Sequence, residues 1–151
     1  MLKIQEINRQ QLTPVEKESI LQHAIDLHLI GSDDVEDPGF DIVEQGSERV
    51  KHILRLIVDH QNVGVMYVHE GKVDRHFEMT ILVHHEFRGR HLTAEAVDAL
   101  EKFMLNRTDR PVYLCAAVHD HNPFRRELTS FLLRHDYAYS PTVQMFVKVL
   151  N

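Results

Sequence analysis

The sequence has little cysteine and no long apolar run, and each shortage excludes a class of protein. Cys115 is the only cysteine among 151 residues, so no internal disulfide can form and we expect a reducing, cytoplasmic setting. No apolar stretch approaches the roughly 18 residues of a membrane span, so we expect no membrane partner. The opening MLKIQEINRQQ lacks the basic start and long apolar core of a signal peptide.

Positive charge is also scarce. The 17 Lys and Arg residues are outnumbered by 23 Asp and Glu, which gives a net charge of −6. General nucleic-acid binding requires a basic surface, so we expect no nucleic-acid partner. The 43% hydrophobic content is ordinary for a soluble globular protein. A chain of this length buries roughly 70% of its unfolded surface, so we expect one domain over residues 1–151.

The first half of the chain reads as a strand, a helix and a three-stranded meander. LKIQEI alternates as an opening strand, and a helix follows with Thr13 as N-cap, Pro14 at its first position and Gly31 at its end. Tight turns at HQN and GKVD separate three further alternating segments. These segments are HILRLIVDH (52–60), NVGVMYVHE (62–70) and RHFEMTILVH (75–84).

The second half alternates helix and strand. Its apolar periodicity predicts a helix over 92–105, a strand over 111–119, a helix over 122–136 with Asn122 as N-cap, and one closing strand over 140–150. Such an order predicts an α/β (α+β) fold: a mixed, twisted central sheet of about six or seven strands with helices on both faces.

The junction between the third meander strand and the next helix has the composition of an anion site. The turn FRGRHLT supplies Gly89 for a tight bend and Arg88 and Arg90 for positive field. Because the first amides of a helix lack intrahelical partners, phosphate groups bind well at such a start. The residues alone leave open an ordinary strand-to-helix connection with two solvated arginines.

This junction resembles the Arg/Gln-x-x-Gly-x-Gly/Ala turn of the GNAT superfamily of N-acetyltransferases. The turn reads Arg88-Gly89-Arg90-His91-Leu92-Thr93 here, directly after EMTILVHHEF. The resemblance extends from about Ile53 to Leu150 and is looser before that. It implies a single GNAT domain that transfers an acetyl group from acetyl-CoA to a primary amine of a small molecule or peptide by direct attack in a ternary complex.

The resemblance also implies which residues hold acetyl-CoA. The backbone of Leu82 and Val83 would pair with the pantetheine arm, and Asn122 resembles the family's cofactor-contacting asparagine, about one helical turn early. His91 and Thr93 stand where the family has small residues, mostly glycine at the first. Because a backbone amide donates whatever its side chain, phosphate binding can survive if φ at His91 is negative, but a Cβ and imidazole there would crowd the pyrophosphate. The pyrophosphate would be held by the amides of Arg88, Gly89, Arg90, His91, Leu92 and Thr93.

Glu78 is the candidate general base, because it stands five residues before Val83, where many GNAT enzymes keep this carboxylate. The alternative is an exposed strand glutamate paired with Arg75 or Arg55. Alternation places His76, Glu78, Thr80 and Leu82 on one face of the strand, and Phe77, Met79, Ile81 and Val83 on the other.

The family's acid, a tyrosine that protonates the departing thiolate, has no counterpart. Leu132 stands at its position, and we interpret Tyr137 and Tyr139 as packing residues. The acid role is therefore unassigned. The altered turn and the missing tyrosine leave open a second function, a degenerate domain that binds CoA or a protein partner without turnover.

The remaining features are the acidic segment, the histidines and the cysteine. The segment Asp33 to Glu48 falls where the family places its acceptor loop, and its charge would attract a cationic amine. The alternative is an ordinary solvated loop. His84–His85 and His119–His121 lack the ordered spacing of a zinc site, so we expect no metal. Cys115 reads as a small buried residue. Family members often pair, so a homodimer is a further expectation.

Overall fold

The structure is a computed structural model that describes residues 1–26 and 50–151, and its centre is a seven-stranded mixed sheet in the order β1-β2-β3-β4-β5-β7-β6. The described residues include three α-helices, so the predicted fold class is confirmed. The elements are β1 (Lys3–Ile7), α1 (Pro14–Asp26), β2 (Val50–Val58), β3 (Gln61–Glu70), β4 (His76–Val83), α2 (Leu92–Arg107), β5 (Val112–Ala116), α3 (Arg125–Arg134), β6 (Ala138–Ser140) and β7 (Met145–Leu150).

Strands β1 to β4 form an antiparallel meander, as the alternation predicts. The turn between β2 and β3 lies at Asp59 and His60, so the predicted turn at HQN is displaced by one residue. Both residues have positive φ, 49° and 66°. A two-residue hairpin turn that fits the twist of its strands requires this conformation, which Asp and His adopt more readily than most residues.

The predicted single strand over 140–150 is wrong. The chain forms a hairpin there, with β6 and β7 paired antiparallel and β7 paired to β5. Pro141 has no amide to donate to a ladder, and Gln144 turns back with φ of 57° to donate its amide to the Ser140 carbonyl at 2.8 Å. The alternating pattern did not indicate this turn, because the segment TVQ contains no Gly or Asn.

The predicted start of the last helix is also wrong. Helix α3 begins at Arg125 with Phe124 at its N-cap position. Asn122 accepts a hydrogen bond from the Phe124 amide on its own side-chain oxygen at 2.9 Å. This is a local Asx turn, a known alternative to capping for asparagine, and it delays the helix.

The sheet buries a core on each face. Helix α2 contributes Ala96, Leu100 and Met104, all fully buried, to the larger core, which also includes Leu132 of α3. Helix α1 contributes Ile20 to the smaller core on the opposite face. The predicted alternation along β4 is confirmed. Its residues 77, 79, 81 and 83 pack with the larger core, and Leu82 packs with the smaller one.

A buried carboxylate anchors α1 to the sheet. Glu16 is fully buried and receives two hydrogen bonds from the Arg55 guanidinium, both at 2.9 Å, and one from the Asn62 amide at 3.1 Å. The predicted cap Thr13 donates its amide to Glu16 and accepts the Glu16 amide on its hydroxyl. Burial opposes ionisation, but these donors outweigh it and lower the pKa of Glu16 to about 2.

Two sequence predictions lie outside the described residues. These are the end of α1 at Gly31 and the acidic segment from Asp33 to Glu48. Within the described ranges, no helix is long and apolar enough to cross a membrane.

Replacing Glu16 with glutamine should cost about 3–5 kcal/mol of unfolding free energy at pH 7, because Arg55 then lies largely buried without its counter-charge. Urea denaturation measures this loss. The Glu16 pKa lies below its ordinary value of 4.5, so the carboxylate stabilises the fold above that pH. The difference between the two proteins should shrink as the pH falls from 4.5 toward 2.

Glu18→Gln is the matched control, since Glu18 lies on the exposed side of the same helix. It should change the unfolding free energy by less than about 0.5 kcal/mol. Equal losses in both variants would contradict the anchoring role of Glu16.

Candidate active site

Strands β4 and β5 are paired over only three residue pairs, and this produces a gap in the middle of the sheet. The parallel ladder joins His76 to Tyr113, Phe77 to Leu114 and Glu78 to Cys115, and no later pair is formed in the described chain. Strand β4 continues to Val83. Its last five residues therefore have strand β3 on one side and an open edge on the other, with backbone groups available to an extended ligand.

The edge of this β4 segment that pairs with β3 depends on a glycine that the sequence analysis did not identify. Gly64 of β3 pairs with Val83. A Cβ at Gly64 would collide with the Leu82 carbonyl oxygen and lie 3.1 Å from the Val83 Cα. Glycine therefore lets β3 approach β4 along the predicted pantetheine residues. A glycine inside an alternating strand is the feature that could have identified it.

The turn after β4 does not have the negative φ at His91 that the sequence analysis set as a condition. A short 3-10 helix, His85–Phe87, leads to Gly89 with φ of 82° and to His91 with φ of 59° and ψ of 24°. His91 is left-handed, so the negative φ set as a condition for phosphate binding is not found. The family's glycine position requires a conformation that a side chain adopts at a cost of roughly 1–2 kcal/mol. Histidine is among the residues that tolerate it best.

The start of α2 is uncapped. His91 occupies the N-cap position, and its side chain makes no capping hydrogen bond. The first amides of the helix, from Leu92 onward, therefore have no side-chain oxygen from their cap residue. The positive end of the helix dipole coincides with them. Unpaired amides and a positive dipole are the features on which the sequence prediction of an anion site is based, and the phosphate itself stays a prediction.

The two arginines of the turn point to different places. The Arg88 Nε donates to the Val83 carbonyl at 3.2 Å, so this side chain folds back onto the end of β4. The Arg90 guanidinium lies over the Phe87 ring at 5.3 Å. Both residues are exposed. Positive charge thus flanks the open edge of β4 on one side and the uncapped amides on the other.

Glu78 lies at the point where β4 and β5 separate. It is half-buried, with His69 of β3 on one side and Cys115 of β5 on the other. The register places Tyr67, Glu78 and Cys115 on one face of the sheet, the face covered elsewhere by α1. Burial, and after it the Glu78 charge, raises the pKa of Tyr67 and of Cys115. The Tyr67 hydroxyl is hydrogen-bonded to the Thr80 side chain.

The alternative partners considered for Glu78 are bound elsewhere. Arg55 makes its bidentate ion pair with Glu16. The Arg75 guanidinium donates to the backbone carbonyl of Arg110 at 3.0 Å. Neither observation assigns a role to Glu78, which stays a prediction.

Cys115 is a fully buried residue, as the sequence predicts. Burial and then the Glu78 charge raise the pKa of its thiol to about 12. Because the thiolate is the nucleophilic form, this cysteine is unsuited to covalent catalysis at neutral pH.

A core residue, Leu132, stands at the position where the family has its acid tyrosine. Leu132 is fully buried among α3 and sheet residues. Tyr137 is a packing residue as predicted, and its hydroxyl donates to Glu101 at 3.0 Å. Burial, followed by the charge of Glu101, raises the pKa of Tyr137 strongly. Tyr139 is 55% exposed and contacts Phe146 edge-on, so it packs far less than Tyr137.

His84 is a buried residue at the end of β4 that sequence reasoning set aside. It is 7% exposed, and its Nδ1 lies 3.2 Å from the Ser19 hydroxyl of α1. Its Nε2 has no hydrogen-bond partner among the described residues. Burial lowers the pKa of His84 against the raising effect of Glu16 and Glu86. The residue fills the junction between α1 and the turn.

The histidine pairs do not assemble into a metal site within residues 1–26 and 50–151. No group of three or more His, Cys, Asp or Glu side chains there could hold a metal ion. His84 is buried whereas its neighbour His85 is exposed, so the two rings occupy different environments.

Asn122 follows β5, whose carboxyl end lies at the same edge of the sheet as that of β4, because the two strands run parallel. It lines an open, polar cavity of about 430 Å³ at the start of α3, together with Arg125 and Arg126. The Arg125 guanidinium donates to the Asp120 carbonyl at 3.3 Å. The predicted cofactor asparagine therefore faces an accessible space, although its role stays a prediction.

Solved structures share this fold. A GNAT-family acetyltransferase from Staphylococcus aureus Mu50 is 16% identical with a TM-score of 0.66, over 100% of both chains. One from Elizabethkingia anophelis, with acetyl-CoA bound, is 10% identical with a TM-score of 0.60, over 92% of this chain and 77% of that one. An aminoglycoside 6′-N-acetyltransferase complexed with coenzyme A is 15% identical with a TM-score of 0.61, over 99% and 97%.

The family itself is settled by sequence. A comparison with curated proteins found no match. A scan against protein-family models, however, matches the Acetyltransferase (GNAT) family over residues 18–129, well over half of the chain. That range contains β4, β5, Glu78 and the uncapped start of α2. The general chemistry of the family is acetyl transfer. The chain therefore belongs to the GNAT family of acetyltransferases.

Proposed function

We propose that this protein transfers an acetyl group from acetyl-CoA to a primary amine by direct attack in a ternary complex. The observation that carries the proposal is the separation of β4 and β5 immediately after Glu78 and Cys115. It creates a slot with an uncapped helix start at one end and a carboxylate at the other. Acetyl-CoA and coenzyme A are bound in two of the structural neighbours, which supports the same ligand here.

In this proposal the backbone does most of the cofactor binding. The amides from Arg88 to Thr93 hold the pyrophosphate, because they combine unpaired donors with the positive end of α2. The open edge of Leu82 and Val83 pairs with the pantetheine arm. Arg88 gives up its contact with the Val83 carbonyl if the arm takes that acceptor. Asn122 contacts the cofactor from the neighbouring strand end.

The chemistry requires a neutral amine. A lysine-like amine has a pKa near 10.4, so its deprotonation at pH 7 costs roughly 4.6 kcal/mol, against about 1 kcal/mol for a peptide α-amine. Glu78 accepts this proton directly or through water. The amine nitrogen then bonds to the thioester carbonyl carbon, the carbon–sulfur bond breaks, and the second N–H proton of the nitrogen passes to water. The products are an amide and the CoA thiolate.

The departing thiolate takes its proton from water in this proposal. A free thiol has a pKa near 8.5, so the thiolate leaves without help far more easily than an alkoxide or amide ion would. Leu132 offers no proton at the position where the family has a tyrosine. The acceptor is a cationic amine, since the chain carries a net charge of −6 and the Asp33–Glu48 segment is its most acidic stretch.

A second candidate function is cofactor binding without turnover. Two observations favour it: the left-handed His91, whose Cβ and ring crowd the phosphate position, and the core leucine in place of the acid tyrosine. Such a domain would respond to CoA without consuming it.

The first experiment separates these functions. Calorimetry should show acetyl-CoA binding, and a thiol-release assay over peptide α-amines, polyamines and aminoglycosides should show CoA release with at least one amine. Acetyl-CoA binding without release on the whole panel would support the non-enzymatic function. No binding at all would contradict both.

His91→Gly should tighten CoA binding about five-fold, because it removes the ring and the left-handed strain at the phosphate position. Calorimetric titration with CoA measures the change. His91→Ala is the matched variant, since it removes the ring but keeps the Cβ. Equal gains in both would assign the crowding to the ring, and weaker binding in the glycine variant would contradict the proposed phosphate position.

Glu78→Gln should lower kcat/KM for a lysine-like amine about 10²–10⁴-fold at pH 7, since the acceptor loses its base. The loss should be smaller for a peptide α-amine and should diminish as the pH rises and the amine deprotonates by itself. Steady-state kinetics over pH 6–10 measure both effects.

Glu70→Gln is the control for Glu78. Glu70 is an exposed residue at the end of β3 that pairs with Lys51 at 3.5 Å. Its substitution should leave kcat/KM unchanged, and CoA affinity should be unchanged in both variants. Full turnover of lysine-like amines by the Glu78 variant would rule out the base assignment.

A further inference from the structure

We propose that His69 and Glu78 form a two-residue proton relay, in which Glu78 takes the acceptor's proton and His69 passes it to solvent. The inference rests on the proposed amine acetylation and adds a residue and a proton path to it. It identifies His69 as a positioning and relay residue, because it acts on the acceptor through Glu78. The observation that carries it is the position of His69 directly opposite Glu78 in the β3–β4 ladder.

The register brings the two side chains together. Residues directly opposite in an antiparallel pair have Cβ atoms about 4.5–5.5 Å apart and project from the same face. Tyr67 lies two residues before His69, and the two rings meet edge-on at 5.0 Å between centroids. This contact confirms that the His69 ring stands on the Tyr67 face. Tyr67 is opposite Thr80, two residues after Glu78, so His69, Tyr67 and Glu78 are neighbours on one surface.

The relay lies on the correct side of the slot. Strand β4 separates from β5 just after Glu78, so the slot opens toward β5 and His69 lies on the opposite side, on β3. His69 is partly exposed, and the next residue, Glu70, is exposed at the end of the strand. A proton that moves from the slot to Glu78 and then to His69 therefore travels toward solvent.

Other titratable groups face His69 and could share its proton. Opposite it on β2 stands Val50, which carries no charge. Helix α1, packed on this face, brings Glu16, bound to Arg55, and the partly buried His23 one turn after Ile20. The groups on the shared face of the sheet are Tyr67, His76, Glu78, Tyr113 and Cys115.

Histidine suits the second position of a relay because its ordinary pKa is near 6.5, between that of a carboxylate and that of an amine. One ammonium N–H bond breaks and an O–H bond forms on Glu78. That O–H bond then breaks as an N–H bond forms on the imidazole, which releases a proton from its other nitrogen to water. No electron is gained or lost.

His69→Gln should lower kcat/KM for a lysine-like amine about ten-fold or more and should remove the ionisation with a histidine-like pKa from the acid limb of the pH profile. Calorimetric CoA affinity should not change. His76→Gln is the matched control, because His76 lies on the same face, two residues from Glu78, and stacks on Tyr113 at 4.5 Å. It should leave the profile as in the wild type.

A second measurement does not depend on turnover. In an NMR titration of the imidazole rings, Glu78→Gln should lower the pKa of His69 by about 1 unit, because an adjacent carboxylate favours the protonated ring. Glu70→Gln provides the control for a general change in surface charge.

The outcomes separate the relay from the proposed function. Unchanged His69 titration in the Glu78 variant overturns the relay whether or not the protein acetylates amines. A wild-type pH profile in His69→Gln, or the same profile change in His76→Gln, overturns it as well. Coupled titration in a protein that releases no CoA on the amine panel confirms the pair and defeats the proposed acetylation alone.

Discussion

The short parallel contact between β4 and β5 is the constraint on which the site depends. After the Glu78–Cys115 pair, β4 continues for five residues with only β3 beside it. An open strand edge in the interior of a sheet is costly, because its backbone groups lose their ladder partners. In our proposal the pantetheine arm restores this pairing when acetyl-CoA binds. The same separation brings a carboxylate to the head of the slot.

The open segment of β4 stays ordered because its other neighbours are fixed. Gly64 brings β3 close to Leu82 and Val83, and β3 pairs with β4 along its whole length. On the face of the sheet, α1 is held by the buried Glu16–Arg55 ion pair. His84 then fills the space between α1 and the turn. The residues that bind the cofactor in our proposal therefore stand on an element supported on two sides, which favours a preformed slot.

The sequence could predict the parts of this molecule that depend on local pattern. Alternation predicted β2 to β4 and which face each β4 residue occupies, and helical periodicity predicted α2. The hairpin before β7 was missed because Gln144 adopts a left-handed turn that its type rarely signals. Asn122 was predicted as the N-cap of α3 but closes an Asx turn before the helix, since asparagine favours both roles. Neither the gap beyond Glu78 nor the pairing of His69 with Glu78 could be predicted, because both depend on strand register, which alternation alone does not determine.

His91 combines a strained backbone conformation with a position in the proposed phosphate site. A left-handed residue is needed just before α2, because the chain must turn from the direction of Arg88 and Gly89 into the helix axis. Glycine meets this need without strain, and histidine meets it at a cost. The backbone of the turn therefore has the left-handed shape that glycine would adopt there, although histidine stands at its centre. Because conformation, not residue identity, determines where amides point, our proposal keeps the phosphate at this turn and assigns to the imidazole only the reduced space for it.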